Sequence, residues 1–170
     1  MQGKSQLTQG RLKQLLHYDP LTGVFTRRMP SGNAHVGDIA GWRMPINYWG
    51  INLSGRQYYA HRLAWLYVYG EWPRDQIDHI NGNKTDNRIR NLREANDQQN
   101  RRNMGLPRTN TSGFKGVVWF RRDSRWRAQI MLAKKGIHIG YFDTKEEASA
   151  AYEAKAEEIF GKFKRPQHAY

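Results

Sequence analysis

Residues 77–92 read IDHINGNKTDNRIRNL, with an acid and an imidazole side by side and four asparagines between positions 81 and 91. Ile77 to Ile80 has the composition of a short strand, and Asn81-Gly82 is a strong two-residue turn signal. A surface hairpin accounts for that much. It does not account for the neighbouring Asp78 and His79, which a strand sends to opposite faces and so does not leave as a simple ion pair. Asn91 follows His79 by twelve positions and Asn100 follows Asn91 by nine. A strand, a long loop, a second short strand and a helix would bring Asn100 back beside Asp78. A carboxylate and an amide carbonyl are hard oxygen ligands of the kind Mg²⁺ takes, with room left for water. A neutral His beside them is a base that can take a proton from water. The choice between a bare hairpin and a metal-bearing site rests on the rest of the chain.

Upstream, Leu12, Leu15 and Leu16 share one face of residues 8–18, which predicts a short amphipathic helix stopped by Asp19-Pro20. Val24-Phe25-Thr26 reads as a strand. Between Gly37 and Tyr59 the pattern is short β segments, with Ser54-Gly55 as the tip of a hairpin joining Tyr48–Leu53 to Gln57–Ala60. His61 to Tyr69 switches to helical spacing and ends at Gly70 and Pro73. Downstream of the quoted stretch, EANDQQNRRN (94–103) suits an exposed helix, and MGLPRTNTS (104–112) reads as a linker. Gly116–Arg122, Trp126–Leu132 and Gly136–Phe142 then read as three short strands. Thr144 and Glu147 form a capping box for a helix that runs to Phe160, with Ala148, Ala151, Tyr152, Ile159 and Phe160 on its apolar face. The expected organisation is α+β in two domains, 1–103 and 113–165.

The net charge of +13 and the pI near 10.2 point to a polyanionic partner, because clustered Lys and Arg gain affinity by releasing counterions from phosphates. Six Trp and nine Tyr argue for a folded core rather than a basic tail. With no cysteine, disulfides and Cys-based zinc sites are excluded. The longest apolar run, near Ala64–Tyr69, is too short to span a bilayer, and MQGKSQLTQG has no apolar signal core. A cytoplasmic protein with no membrane partner is expected.

His61-Arg62-Leu63-Ala64, Ile77-Asp78-His79-Ile80-Asn81-Gly82, Asn87-Arg88, Asn91-Leu92-Arg93 and Asn100 together resemble the HNH motif of phage and intron-encoded homing endonucleases. The resemblance covers about the first 103 residues. It implies a ββα-metal fold that binds one divalent ion over the scissile phosphate, with His79 as general base and Asp78 and Asn100 as metal ligands. Asn91 would hold the loop and orient His79 through hydrogen bonding. An amide at the third motif position favours Mg²⁺ or Mn²⁺ over zinc. His61 reads equally as a helix residue packed on the sheet or as a substrate contact. Arg62, Arg93, Arg101 and Arg102 are candidate phosphate contacts.

Ser112-Gly113-Phe114-Lys115-Gly116-Val117, Trp126-Arg127-Ala128, Gly140-Tyr141-Phe142-Asp143-Thr144, Glu146-Glu147-Ala148 and Ala151-Tyr152 resemble the apetala-type (ethylene-response-factor) DNA-binding domain. That implies a three-stranded antiparallel sheet in the major groove, backed by one helix. Val118, Phe120 and His138 depart from the plant pattern, so the fold transfers and the plant base specificity does not. Lys115, Arg121, Arg122, Arg125, Arg127, Gln129 and His138 are the candidate contacts, since alternate side chains of a strand face one groove. Trp126 is expected in the core, and Trp119 is left open.

The leading reading is a metal-dependent DNA endonuclease of the homing type, with Mg²⁺ or Mn²⁺ as its only cofactor and double-stranded DNA as its partner. It is expected to act as a monomer in the cytoplasm of a bacterial host, phage- or prophage-encoded. The alternatives are a non-catalytic DNA-binding regulator with a degenerate HNH module and a basic RNA-associated structural protein. The second gives no reason for Asp78, His79, Asn91 and Asn100 together.

Overall fold

The computed structural model describes residues 6–103, 105–106, 109–132 and 135–161, in a mixed α and β arrangement. It forms two compact units, one running to Arg101 and the other beginning at Arg102.

In the first unit, helix α1 (Gln9–Leu15) is capped by the Thr8 hydroxyl, which accepts from the Arg11 N–H. The helix is shorter than the leucine spacing predicts. Leu16 turns extended and opens strand β1 (Leu16–Tyr18), which pairs antiparallel with β2 (Phe25–Arg27) in the register Leu16↔Arg27. Leu16 and Tyr18 alternate into the core, so the same apolar residues serve a strand there. Strands β3 (Trp42–Arg43), β4 (Trp49–Leu53) and β5 (Arg56–Tyr59) make an antiparallel sheet in that order. Ser54 and Gly55 both take positive φ (53° and 77°), the geometry of the two-residue hairpin turn that matches strand twist. Helix α2 (Ala60–Tyr69) follows at once, and its Leu63, Ala64 and Leu66 bury against Leu12, Phe25 and Ile51 in one core.

The quoted stretch folds as strand β6 (Gln76–His79), a long loop closed by a single 3₁₀ turn at Ile89–Asn91, and strand β7 (Leu92–Ala95). The two strands pair antiparallel, Asp78 opposite Arg93 and His79 opposite Leu92. Helix α3 (Asp97–Arg102) comes next. The β1–β2 turn braces this loop. Gly23, at φ +77°, lies so close to it that a Cβ would sit 2.5 Å from the Arg88 nitrogen, and the Tyr18 hydroxyl donates to the Asn87 carbonyl at 2.7 Å.

In the second unit, β8 (Val117–Phe120), β9 (Arg125–Leu132) and β10 (Lys135–Phe142) form an antiparallel sheet in the order β10-β9-β8. Helix α4 (Lys145–Phe160) carries both halves of the Thr144–Glu147 capping box. Its Ala148, Tyr152 and Ala156 pack on Val117, Ala128 and Ile130, and the small alanines let helix and sheet approach closely. Ser112 closes the stretch read as linker (104–112). Ser112 is buried, and its hydroxyl donates to the Val117 carbonyl at 2.7 Å, so this end of the stretch is folded onto the second unit.

Candidate active site

Asp78 and His79 are both buried at the end of β6, on opposite faces of the strand. The Asp78 carboxylate is gripped across the β6–β7 pair by the Arg93 guanidinium, with Nε at 2.9 Å and Nη2 at 2.7 Å from Oδ2.

The loop asparagines staple the chain to itself. The Asn91 Oδ1 accepts the Asn81 N–H at 3.0 Å, and Asn91 Nδ2 donates to Asn81 Oδ1 and to the Asp86 carbonyl. Asn81 in turn donates to the Asp86 carboxylate, and the Arg88 guanidinium beside Asp86 holds that carboxyl below the usual range. Asn83 accepts from both the N–H and the hydroxyl of Thr85. Loop backbone groups that a bare surface turn would give to water therefore have internal partners.

The amide beside the imidazole is Asn87, whereas the sequence reading gives the orienting role to Asn91. His79 Nε2 lies 3.3 Å from Asn87 Oδ1, and both side chains are buried. Asn87 Nδ2 donates to the Thr85 carbonyl, so the amide oxygen faces the ring. An amide oxygen only accepts, so the hydrogen sits on Nε2 and the lone pair on Nδ1. Asn91 meets the loop because it ends the 3₁₀ turn with its side chain beneath Asn81 and Asp86.

Around His79 lie the rings of His61, 5.1 Å away and edge-on, and Tyr48, 6.0 Å away. His61 is buried at the start of α2 and stacked on Tyr59, and burial, with His79 and Arg62 adding to it, pushes its pKa down to about 3. Burial also lowers the His79 pKa, against the opposing pull of Asn87, Asp78 and Asp86. Both rings are therefore neutral near pH 7.

Asn100, on α3, is tied to β6: its Nδ2 donates to Gln76 Oε1, while Gln76 Nε2 donates to Asp97. Gln76 is two residues before Asp78 on the strand, so the two share a face, and Asn100 is tied to that face through Gln76. The side-chain carbonyl of Asn100 is the end of the amide suited to a cation. Among the described residues no group of three or more His, Cys, Asp or Glu could hold a metal. A cation here would depend on Asp78, Asn100 and water.

The expected phosphate contacts divide. The Arg62 guanidinium donates to the carbonyls of Pro73 and Asp75 and lies 6.0 Å from the Trp72 ring, so it secures the connection between α2 and β6. Arg93 is engaged with Asp78. Arg101 and Arg102 belong to α3, and their side chains lie outside the described residues. In the second unit, Trp126 packs with the core beside Trp119, its cross-strand partner at 5.1 Å. By alternation Arg125, Arg127, Gln129 and, across the β9–β10 pair, His138 and Tyr141 lie on the other face. Arg127 stands 5.3 Å over the Phe120 ring, and Tyr141 contacts both Phe120 and His138. Arg125 is paired with Asp143 and Arg122 with Asp123, both at exposed positions. Arg121 is exposed in the β8–β9 turn, and Lys115 is half-buried in the turn before β8. The sequence reading names Asn87 and Tyr141 within motifs and Phe120 as a departure, but gives none of them a role. Their contacts here depend on partners that only the folded register supplies.

A model of the HNH endonuclease family matches residues 58–102, from β5 through α3. Protein 3.8 of Escherichia phage T7 is 32% identical over 117 residues, covering 66% of this chain and 96% of that protein. The chain belongs to the HNH endonuclease family. An uncharacterized HNH endonuclease of Acanthamoeba polyphaga mimivirus is 37% identical over 110 residues, 62% of this chain and 55% of that protein. An AP2-like ethylene-responsive transcription factor of Arabidopsis thaliana is 36% identical over 55 residues, 32% of this chain and 11% of the plant protein. No solved structure matches. No described helix is long and apolar enough to cross a membrane.

Proposed function

We propose that this HNH protein hydrolyses a phosphodiester bond of double-stranded DNA, with His79 taking the proton from the attacking water. The observation that carries this reading is the Asn87 contact, which leaves the basic lone pair on Nδ1 of a neutral imidazole. A neutral ring, held by a second group and depressed below its ordinary pKa, is ready to accept a proton near pH 7.

Asp78 and Asn100 would hold Mg²⁺ or Mn²⁺. The donor chemistry fits: a carboxylate on β6 and the amide carbonyl of Asn100 on α3, whose Nδ2 is tied to Gln76 of the same strand, are both hard oxygens. When bound, such an ion supplies positive charge against the scissile phosphate and the leaving oxygen. Asn91 keeps the loop closed, so that Asn87 stays beside the base.

The second unit, in this reading, is an apetala-like DNA-binding domain of residues 113–165, joined to a nuclease domain of residues 1–103. The net charge of +13 and the Arg127–Gln129–His138 face of its sheet support that role. Similarity to a phage protein supports action in the cytoplasm of a bacterial host.

The experiment is incubation of supercoiled plasmid with the full chain and Mg²⁺, with and without chelator. Nicked or linear product that appears only with free Mg²⁺ is expected. Intact plasmid under both conditions, with DNA still bound, would point to a binding protein without nuclease activity.

A further inference from the structure

Arg93 is the residue of the site that neither the loop nor the base requires. Its guanidinium donates the Nε–H to Asp78 Oδ2 at 2.9 Å and brings Nη2 to 2.7 Å from the same oxygen as an ion pair, and both side chains are largely buried (13% and 5% exposed). The contact is built into the sheet, because Asp78 and Arg93 are register partners in the β6–β7 pair. Two cations thus have a claim on one carboxylate: the fixed guanidinium and the divalent ion assigned to Asp78 above. In a partly buried site, charges of the same sign repel far more strongly than in water.

Resting on that metal assignment, we propose that Arg93 is a positioning residue that keeps the ion site weak in the free protein and couples ion binding to DNA. With DNA bound, a backbone phosphate supplies the negative charge that Asp78 alone cannot share between guanidinium and ion. Arginine suits this exchange, since its planar fork donates to carboxylate or phosphate with the same geometry. The coupling is reciprocal: if DNA tightens ion binding, the ion tightens DNA binding by the same factor. A site with little affinity for the ion until a phosphate arrives would assemble its nuclease centre on DNA.

The test is a set of Mn²⁺ titrations of the full chain, read by the paramagnetic resonance signal of the free aquo ion. Each is done alone and with a saturating short mixed-sequence duplex, after subtraction of the ion held by duplex alone. Wild type is expected to bind Mn²⁺ weakly alone and about tenfold or more tightly with duplex. Arg93→Gln should bind about tenfold more tightly than wild type in the absence of DNA and gain little from the duplex. Arg93→Lys, which retains the charge, should stay near wild type and controls for loss of packing. Equal or weaker Mn²⁺ binding by Arg93→Gln alone overturns the proposal, as does Arg93→Lys behaving like Arg93→Gln. Asp78→Asn separates the two levels. Loss of Mn²⁺ binding supports the metal assignment, and unchanged affinity removes it, and the role of Arg93 with it.

Discussion

The Asn87 side-chain oxygen lies 3.3 Å from His79 Nε2, and the Asn87 backbone is itself held from behind by the Tyr18 hydroxyl and by the close approach of Gly23. The β1–β2 hairpin thereby reaches the ring proposed as the base, 69 residues away in sequence from Tyr18 to Asn87. A residue so braced fixes the tautomer of the imidazole at little further cost in entropy.

Replacing Asn87 by Ala should lower the cleavage rate by roughly tenfold or more while DNA affinity stays near wild type. Asn87→Asp gives a sharper readout. A carboxylate partner stabilises the imidazolium and raises the His79 pKa, so the rising acid limb of the pH–rate profile should move to higher pH. A limb unchanged in Asn87→Asp would mean that the residue titrating in the profile is not the ring Asn87 faces.

Asn91→Ala should act on stability first. The Asn81 N–H and the Asp86 carbonyl lose their Asn91 partner at once, while the Asn81 side-chain carbonyl keeps the Asn83 N–H. Leaving such groups unmet in a buried setting costs about 1–3 kcal/mol. Urea unfolding followed by tryptophan fluorescence measures it. A midpoint equal to wild type would show that water replaces the staple freely.

His61 gives a pH dependence of stability with a definite sign. Its folded pKa, near 3, is below the ordinary imidazole value, so the unfolded chain takes up a proton that the folded one refuses. The stability it contributes is complete above about pH 6.5 and is lost as the pH falls towards 3, at about 1.4 kcal/mol per pH unit. His61→Phe, which keeps an aromatic ring against Tyr59, should flatten the fall of Tm between neutral and acid pH. A slope identical to wild type would assign the acid sensitivity to other groups.

How much of this was legible in the sequence depends on how far each contact reaches. The capping box at Thr144–Glu147 and the Ser54-Gly55 turn are local, and both stand as the residues indicate. Leu16 shows where local pattern fails: its place in a leucine stripe suits a helix, but pairing with Arg27 draws it into a strand. The position of Arg93 opposite Asp78 depends on a strand register that the intervening loop sets. No local signal carries that. Asn87 is one of several amides in the loop, and nothing in its own neighbourhood marks it as the partner of His79 rather than Asn91. Arg62 reads as a surface cation, yet the carbonyls exposed at Pro73 and Asp75 capture it.

Arg127 tests the second unit. It shares a face with Gln129 and lies over Phe120, so its guanidinium plane is already oriented. If it reads a base, Arg127→Ala should cost about 1–3 kcal/mol on a preferred duplex and much less on a scrambled one. If it contacts phosphate, the loss should be nearly equal on all sequences, with a shallower dependence on salt. Binding measured on selected and scrambled duplexes at several salt concentrations separates these. No loss on either duplex would mean that this face of the sheet does not meet DNA.

The most direct test of the central claim is the plasmid cleavage rate of His79→Ala in Mg²⁺, with duplex affinity measured on the same preparation. Removing the base should slow cleavage by about a hundredfold or more and leave DNA binding close to wild type. Cleavage at near the wild-type rate, by a variant that folds and binds DNA normally, would contradict the assignment of His79 as the group that activates water.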